Sequence, residues 1–254
     1  MSIEEWKRNG PKKAVFFDLN GTLIDPEASY EAALAREIRE LAARSSAADR
    51  SEWEREALAQ YRKERQRLTA GPTARRTVEA KALLRRACLA KAVSALPVPR
   101  SSAFLLKLDR AIKESLESDP RLYAGTLQAL EAIGRGRKIA LISNGSRLRL
   151  EGRVKRARLE AFFPPARLFT AGAGQRGKPH PDLFQQALET LSLSPSDAMM
   201  VGDSRTKDTA GALRVGMDAC WFRPGKLSTV TAVRRPGGWL LQAGSLQQLA
   251  HVLE

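Results

Sequence analysis

Four short apolar runs punctuate the chain, and each stops at a polar residue or a glycine. They are Ala14–Phe17, Ile139–Ile142, Met199–Val201 and Cys220–Phe222. Each has the length of a buried strand. Two segments with helical spacing, "PDLFQQALETLSL" and "DTAGALRVGM", lie between the later runs. Strands that alternate with helices predict an α/β fold, a Rossmann-like parallel sheet with helices on both faces. The C-terminal "GWLLQAGSLQQLAHVLE" reads as a last strand and helix of the same domain. Ligands of such sheets bind at the carboxyl ends of the strands. Asp18, Ser143 and Asp203 close or follow three of the runs, so they are expected to meet along one edge.

From Pro26 to Arg121 the pattern changes. Four long charged segments follow one another: "EASYEAALAREIRELAARS", "SEWEREALAQYRKERQRL", "ARRTVEAKALLRRACLAKAVSAL" and "SSAFLLKLDRAIKESLES". Their apolar residues keep helical spacing, and β-branched runs are almost absent. Breaks are expected at 45–48, 70–73 and 97–99. The reading is an inserted all-α, four-helix domain over 26–121 within an α/β domain of 1–25 and 122–254. Trp53, Tyr61 and Leu68 are expected to be core residues of the insert.

Composition narrows the class. Apolar residues make up 43% of the 254, enough for a large core. No apolar run approaches the roughly 18 residues of a spanning helix. The opening "MSIEEWKRNGPKKAVFF" lacks the layout of a signal peptide. Cys88 and Cys220 stand far apart, which suits buried thiols of a reducing compartment better than a disulfide framework. A cytoplasmic protein without a membrane segment is the expectation. The net charge of +15 raises the question of nucleic acid. The excess is spread along the chain, and its densest patch, "SRLRLEGRVKRAR", has no interleaved aromatic residue. That patch reads as a solvated helix face, and nucleic acid is not the expected partner.

The candidate chemistry lies in four motifs. Asp18 ends a strand and precedes Asn20, Gly21 and Thr22. "ALISNG" brings Ser143 and Asn144 to the end of another. Lys178 stands in "RGKPHPDLF", a loop entering a helix. "MMVGDSRTKDTAGALRVGM" carries Asp203 after a strand and Asp208 five residues on. Each motif alone is weak, since a lone Gly-Asp-Ser is usually a helix cap. In this order, each at a strand end, they point together to one site.

This set closely resembles the haloacid dehalogenase-like (HAD) hydrolase superfamily, from Ala14 to about Phe222. The helical insert looks like the cap that one branch carries between its first and second motifs. The resemblance implies a Mg²⁺-dependent phosphomonoester hydrolase acting on a small soluble phosphorylated metabolite. Asp18 would be the nucleophile that forms an aspartyl-phosphate. Asp18, the backbone carbonyl of Asn20 and Asp203 would hold Mg²⁺. Ser143 and the N–H of Asn144 would bind phosphate oxygens, with the N–H groups of Leu19 and Gly21 as further donors. Lys178 would neutralise charge on the nucleophile and the transferring group, and Asp208 would orient it. The cap would close over the substrate.

Asn20 departs from the family pattern, which has an aspartate there to protonate the leaving alcohol and activate water. General acid–base help is worth roughly 10²–10⁴-fold. A substrate with a good leaving group, a slow phosphatase or phosphate-binding regulator, an introduced substitution, and deamidation of Asn20-Gly21 all remain open. So does a metal-independent 2-haloacid dehalogenase, in which Asp18 attacks carbon, although Asp203 suits a metal. Arg75 and Arg76, at the start of a cap helix, are secondary candidates for substrate selection. His180 has a weaker claim, and His251 reads as structural. Monomer and homodimer are both compatible with the sequence.

Overall fold

The computed structural model describes residues 3–45, 50–70, 78–172 and 174–254. Contacts divide the chain into two compact units. One comprises the residues up to Pro26 and from Pro120 onward; the other is Glu27–Asp119.

The first unit opens with α1 (Ile3–Lys7) and β1 (Ala14–Phe17). After the insert come α6 (Thr126–Gly134), β2 (Lys138–Ser143), α7 (Arg147–Arg156), β3 (Leu168–Thr170), α8 (Pro181–Thr190) and β4 (Ala198–Gly202). Then follow α9 (Ala210–Arg214), β5 (Asp218–Phe222), β6 (Thr231–Arg235), β7 (Gly238–Ala243) and α10 (Leu246–Leu253). The strands form one sheet in the order β3-β2-β1-β4-β5-β7-β6. Every neighbouring pair is parallel except β6 and β7.

The sheet is therefore α/β with an antiparallel edge, and the all-parallel expectation is corrected there. The sequence "TAVRR" of β6 lacks the apolar run of a central strand, since it is covered on one side only. Two strands, β3 and β6, were not among the expected elements. The expected helix over "DTAGALRVGM" begins as a π-helical turn at Arg205–Thr209 before α9.

Both faces of the sheet are covered, and the two-residue period of a strand decides which side chain goes where. Val15, Phe17, Leu141, Met199 and Val201 pack with Leu130 of α6, Val154 of α7 and Leu249 of α10. Ala14, Phe16, Ile142, Ala198 and Met200 pack with Leu183 and Phe184 of α8 and Ala212 of α9. α10 starts on a capping box in which Ser245 and Gln248 satisfy each other's backbone N–H groups.

The register fixes the site edge. Phe17 of β1 pairs with Leu141 of β2 and with Val201 of β4. Asp18 thus leaves the sheet between the last residues of β2 and β4. Sequence order reverses between β1 and β4, which is where such sheets form a crevice. Past the site, the chain runs to the insert beside its own return. Ile24 bridges Leu122, Asp25 N–H donates to Arg121 O at 2.7 Å, and Tyr123 N–H donates to Leu23 O at 3.0 Å.

The second unit is built from α2 (Pro26–Ala43), α3 (Arg50–Thr69), α4 (Val78–Ala92) and α5 (Ser102–Ser118). Its core holds Leu34, Ile38, Trp53, Tyr61, Leu89 and Ile112, with Leu68 packed partly buried against it. Tyr30 and Tyr61 stack at 5.2 Å between ring centroids. Ser101 caps α5, accepting from Phe104 N–H at 3.2 Å. Both cysteines are free and buried. Arg75 and Arg76 lie outside the described residues. Among the described residues, no helix is long and apolar enough to cross a membrane.

Candidate active site

Lys178 is the centre of the charged cluster. Its Nζ stands 2.7 Å from Asp18 Oδ1 and 2.6 Å from Asp208 Oδ1, and it donates to Ile142 O at 2.6 Å. The lysine and Asp208 side chains are each 2% exposed, and Asp18 is 15% exposed. A buried ammonium with three oxygen partners is fixed in place. Burial alone would favour neutral Lys178, but Asp18 and Asp208 outweigh it and hold its pKa above the ordinary lysine value.

Asn144 positions the lysine. Its Oδ1 accepts from Lys178 N–H at 2.7 Å, and its Nδ2 donates to Lys178 O at 2.8 Å. The side chain thus closes a two-bond staple from the end of β2 to the loop before α8. A Cβ on Gly177 would lie 2.7 Å from Asn144 Oδ1, so that staple needs a glycine there. The expected part of Asn144 lay in its backbone; the side-chain staple is an addition. Ser143 is buried beside it, its Oγ accepting from Gly145 N–H at 3.3 Å.

Three carboxylates converge. One oxygen each from Asp18, Asp203 and Asp208 lie within 4.8 Å of one another. Asp208 is committed on both sides, with Oδ1 at Lys178 and Oδ2 accepting from Ser204 N–H at 3.0 Å. Asp203 is exposed, while its backbone is held: its N–H donates to Thr22 Oγ1 at 3.1 Å and its C=O accepts from Trp221 Nε1 at 3.0 Å. Partial burial, then the Asp18 and Asp208 charges, push the Asp203 carboxyl up to about 6. Burial likewise raises Asp18, against the pull of Lys178 and the Leu19 N–H. One ammonium for three carboxylates leaves excess negative charge in a small volume. A hard divalent cation with oxygen ligands fits that donor set.

The first turn holds one correction. Gly21 N–H donates to Ile24 O at 2.8 Å, so this donor is spent on the local turn and is not free for phosphate. The glycine is needed for another reason. Its φ is +86°, and a Cβ there would lie 2.7 Å from Asp203 Oδ2. The nearby Leu19 N–H draws the Asp18 carboxyl pKa down.

Asn20 is exposed, and its Oδ1 accepts from Arg153 Nη1 of α7. The patch "SRLRLEGRVKRAR" is therefore more than a solvated face. Arg147 also donates to the Leu168 and Pro165 carbonyls. His180 caps α8 and pairs with Asp182 at 2.8 Å. His251 is exposed beside Glu254.

A model of the haloacid dehalogenase-like hydrolase family matches residues 12–216. The chain belongs to the haloacid dehalogenase-like hydrolases. Among curated relatives, the glyceraldehyde 3-phosphate phosphatase of Pyrococcus furiosus is 34% identical over 91 residues, covering 36% of this chain and 37% of that protein. The match thus spans little more than a third of that relative's length. Among solved structures, YfnB of Bacillus subtilis, crystallised bound to magnesium, has a TM-score of 0.56 at 20% identity, covering 96% of this chain and 99% of YfnB. A 2-haloacid dehalogenase from Pseudomonas syringae pv. Tomato DC3000 has a TM-score of 0.50 at 27% identity, covering 95% and 98%.

Proposed function

We propose that this HAD-family hydrolase is a divalent-metal-dependent phosphatase. It takes the phosphoryl group of a small phosphorylated metabolite onto Asp18 and passes it to water. The observation that carries this reading is the Lys178 ammonium held between Asp18 and Asp208 beside the Asp203 carboxylate. A carboxylate nucleophile facing an anionic phosphate must overcome repulsion. Lys178 removes part of it by lying on the nucleophile itself. Asp208 holds the lysine without competing for substrate, because both its oxygens are engaged.

Asp18, Asp203 and the backbone carbonyl of Asn20 are the groups that would hold Mg²⁺, and the ion would screen the charge of nucleophile and phosphate. Ser143 and the N–H of Asn144 are the proposed phosphate donors at the neighbouring strand end. The helical unit Glu27–Asp119 occupies the place in the sequence where the family carries a cap, and is proposed to be one. The partial match to a glyceraldehyde 3-phosphate phosphatase supports a small metabolite as substrate.

A second reading is carbon–halogen hydrolysis, favoured by the 27% identity to a 2-haloacid dehalogenase. One experiment separates the two. Phosphate release from p-nitrophenyl phosphate and halide release from 2-chloropropionate are followed with Mg²⁺ and with chelator. The phosphatase reading expects Mg²⁺-dependent phosphate release that Asp18→Asn abolishes. Halide release that persists in chelator would replace it with the second reading.

A further inference from the structure

A proton donor is expected beside Asp18, and this chain has an amide there. Arg153 Nη1 donates to the oxygen of that amide. A guanidinium has donors only, so the amide presents its oxygen to Arg153. The amide nitrogen, a donor, is what remains for anything else that Asn20 meets. Arg153 reaches Asn20 from α7, the helix that follows the Ser143–Asn144 strand end, so its position is tied to the site scaffold. The exchangeable proton of a carboxylic acid has been replaced by an oriented amide backed by a fixed cation.

Such an arrangement stabilises a leaving group that departs as an anion and offers nothing to one that needs a proton. An alkoxide, with a conjugate acid near the pKa of water (about 16), needs one. A carboxylate, with a pKa of about 4, does not. We propose that the substrate class is the acyl phosphates, mixed anhydrides of a carboxylic acid and phosphate, and that Arg153 is the positioning residue that holds Asn20 for them. This rests on the phosphatase reading of the site.

The chemistry balances without a protein acid. An Asp18 oxygen forms a bond to phosphorus, the bond from phosphorus to the acyl oxygen breaks, and its electron pair leaves with the carboxylate. One acyl phosphate is exchanged for another, so the transfer is close to thermoneutral. Water then bonds to phosphorus, the Asp18 oxygen takes back its pair, and both protons of water stay with the released dihydrogen phosphate.

The test measures kcat/KM for acetyl phosphate, p-nitrophenyl phosphate and glycerol 3-phosphate with the full chain and Mg²⁺, and then for Arg153→Leu and Arg153→Lys. The readout is the slope of log kcat/KM against leaving-group pKa. The parent is expected to favour acetyl phosphate over glycerol 3-phosphate by about 10²-fold or more, the worth of the missing acid. Arg153→Leu is expected to slow acetyl phosphate most and so flatten the slope, and Arg153→Lys to restore most of it while melting at the same temperature as the parent. A parent that prefers glycerol 3-phosphate, or an Arg153→Leu chain that slows on all three substrates alike, overturns the proposal and leaves the phosphatase reading standing. Release of phosphate from none of the three overturns both.

Discussion

Gly21 and Asp203 stand so close that no methyl group fits between them: a Cβ on Gly21 would lie 2.7 Å from Asp203 Oδ2. The backbone at Gly21 is also left-handed, with φ +86°. Gly21→Ala is expected to cost about 1–2 kcal/mol from the backbone conformation alone. It should also displace the Asp203 carboxylate and weaken Mg²⁺ binding. Urea unfolding and calorimetric titration with MgCl₂ check the two effects; a variant with parent affinity for Mg²⁺ would show that Asp203 lies outside the metal site.

Lys178 is expected to be the most sensitive position in the site. Lys178→Met leaves the Asp18 and Asp208 charges buried without their partner, at a cost of about 3–5 kcal/mol. Phosphate release should fall by roughly 10²–10³-fold, the scale for loss of one preorganised electrostatic group. Asp208→Asn keeps the shape and removes one of the two carboxylates, so it should lose less stability than Lys178→Met. Thermal melts of the two variants side by side give that ranking, and the reverse order would contradict it.

Asp203 ties metal binding to pH. Its carboxyl titrates near 6 in the folded chain against 3.8 ordinarily, so the folded state holds that proton more tightly. Its contribution to the stability of the metal-free protein is full below about pH 4 and is lost as pH rises through 6. Mg²⁺ needs the ionised form, so its affinity should climb over the same window. The rise in melting temperature on adding MgCl₂ is therefore expected to be larger at pH 7.5 than at pH 5. Equal rises at the two pH values would exclude Asp203 as the titrating ligand.

The thiols should be silent in the native protein. Burial pushes Cys88 up to about 11 and Cys220 up to about 12, and the thiolate is the reactive form. A disulfide reagent at pH 8 is expected to label neither in buffer and both in denaturant. Fast labelling of one thiol in buffer would mark local opening around it.

Much of the α/β unit was legible because a central strand must be apolar right up to its end. That made Asp18, Ser143 and Asp203 conspicuous, and the register brings Asp18 between β2 and β4. The strands β3 and β6 were not legible: "LFT" is too short for periodicity, and "TAVRR" on the sheet edge is half polar. Backbone donors were harder still. Gly21 N–H looked available in the sequence, but the turn to Ile24 uses it. Thr22, adjacent to the motif and buried, could have been suspected as a support of Asp203. Arg153 could not, since it is one of six bases in a thirteen-residue stretch and nothing local tells which of them turns toward Asn20.

The paired segments at Ile24–Leu122 have an evolutionary consequence. The chain leaves the α/β unit and comes back through adjacent, hydrogen-bonded residues, so the ninety-odd residues between them form a loop closed at its base. Recombination could exchange the whole insert for another of different size and leave the reacting groups untouched. The reacting groups and the insert are then carried by two stretches of gene that can change at different rates.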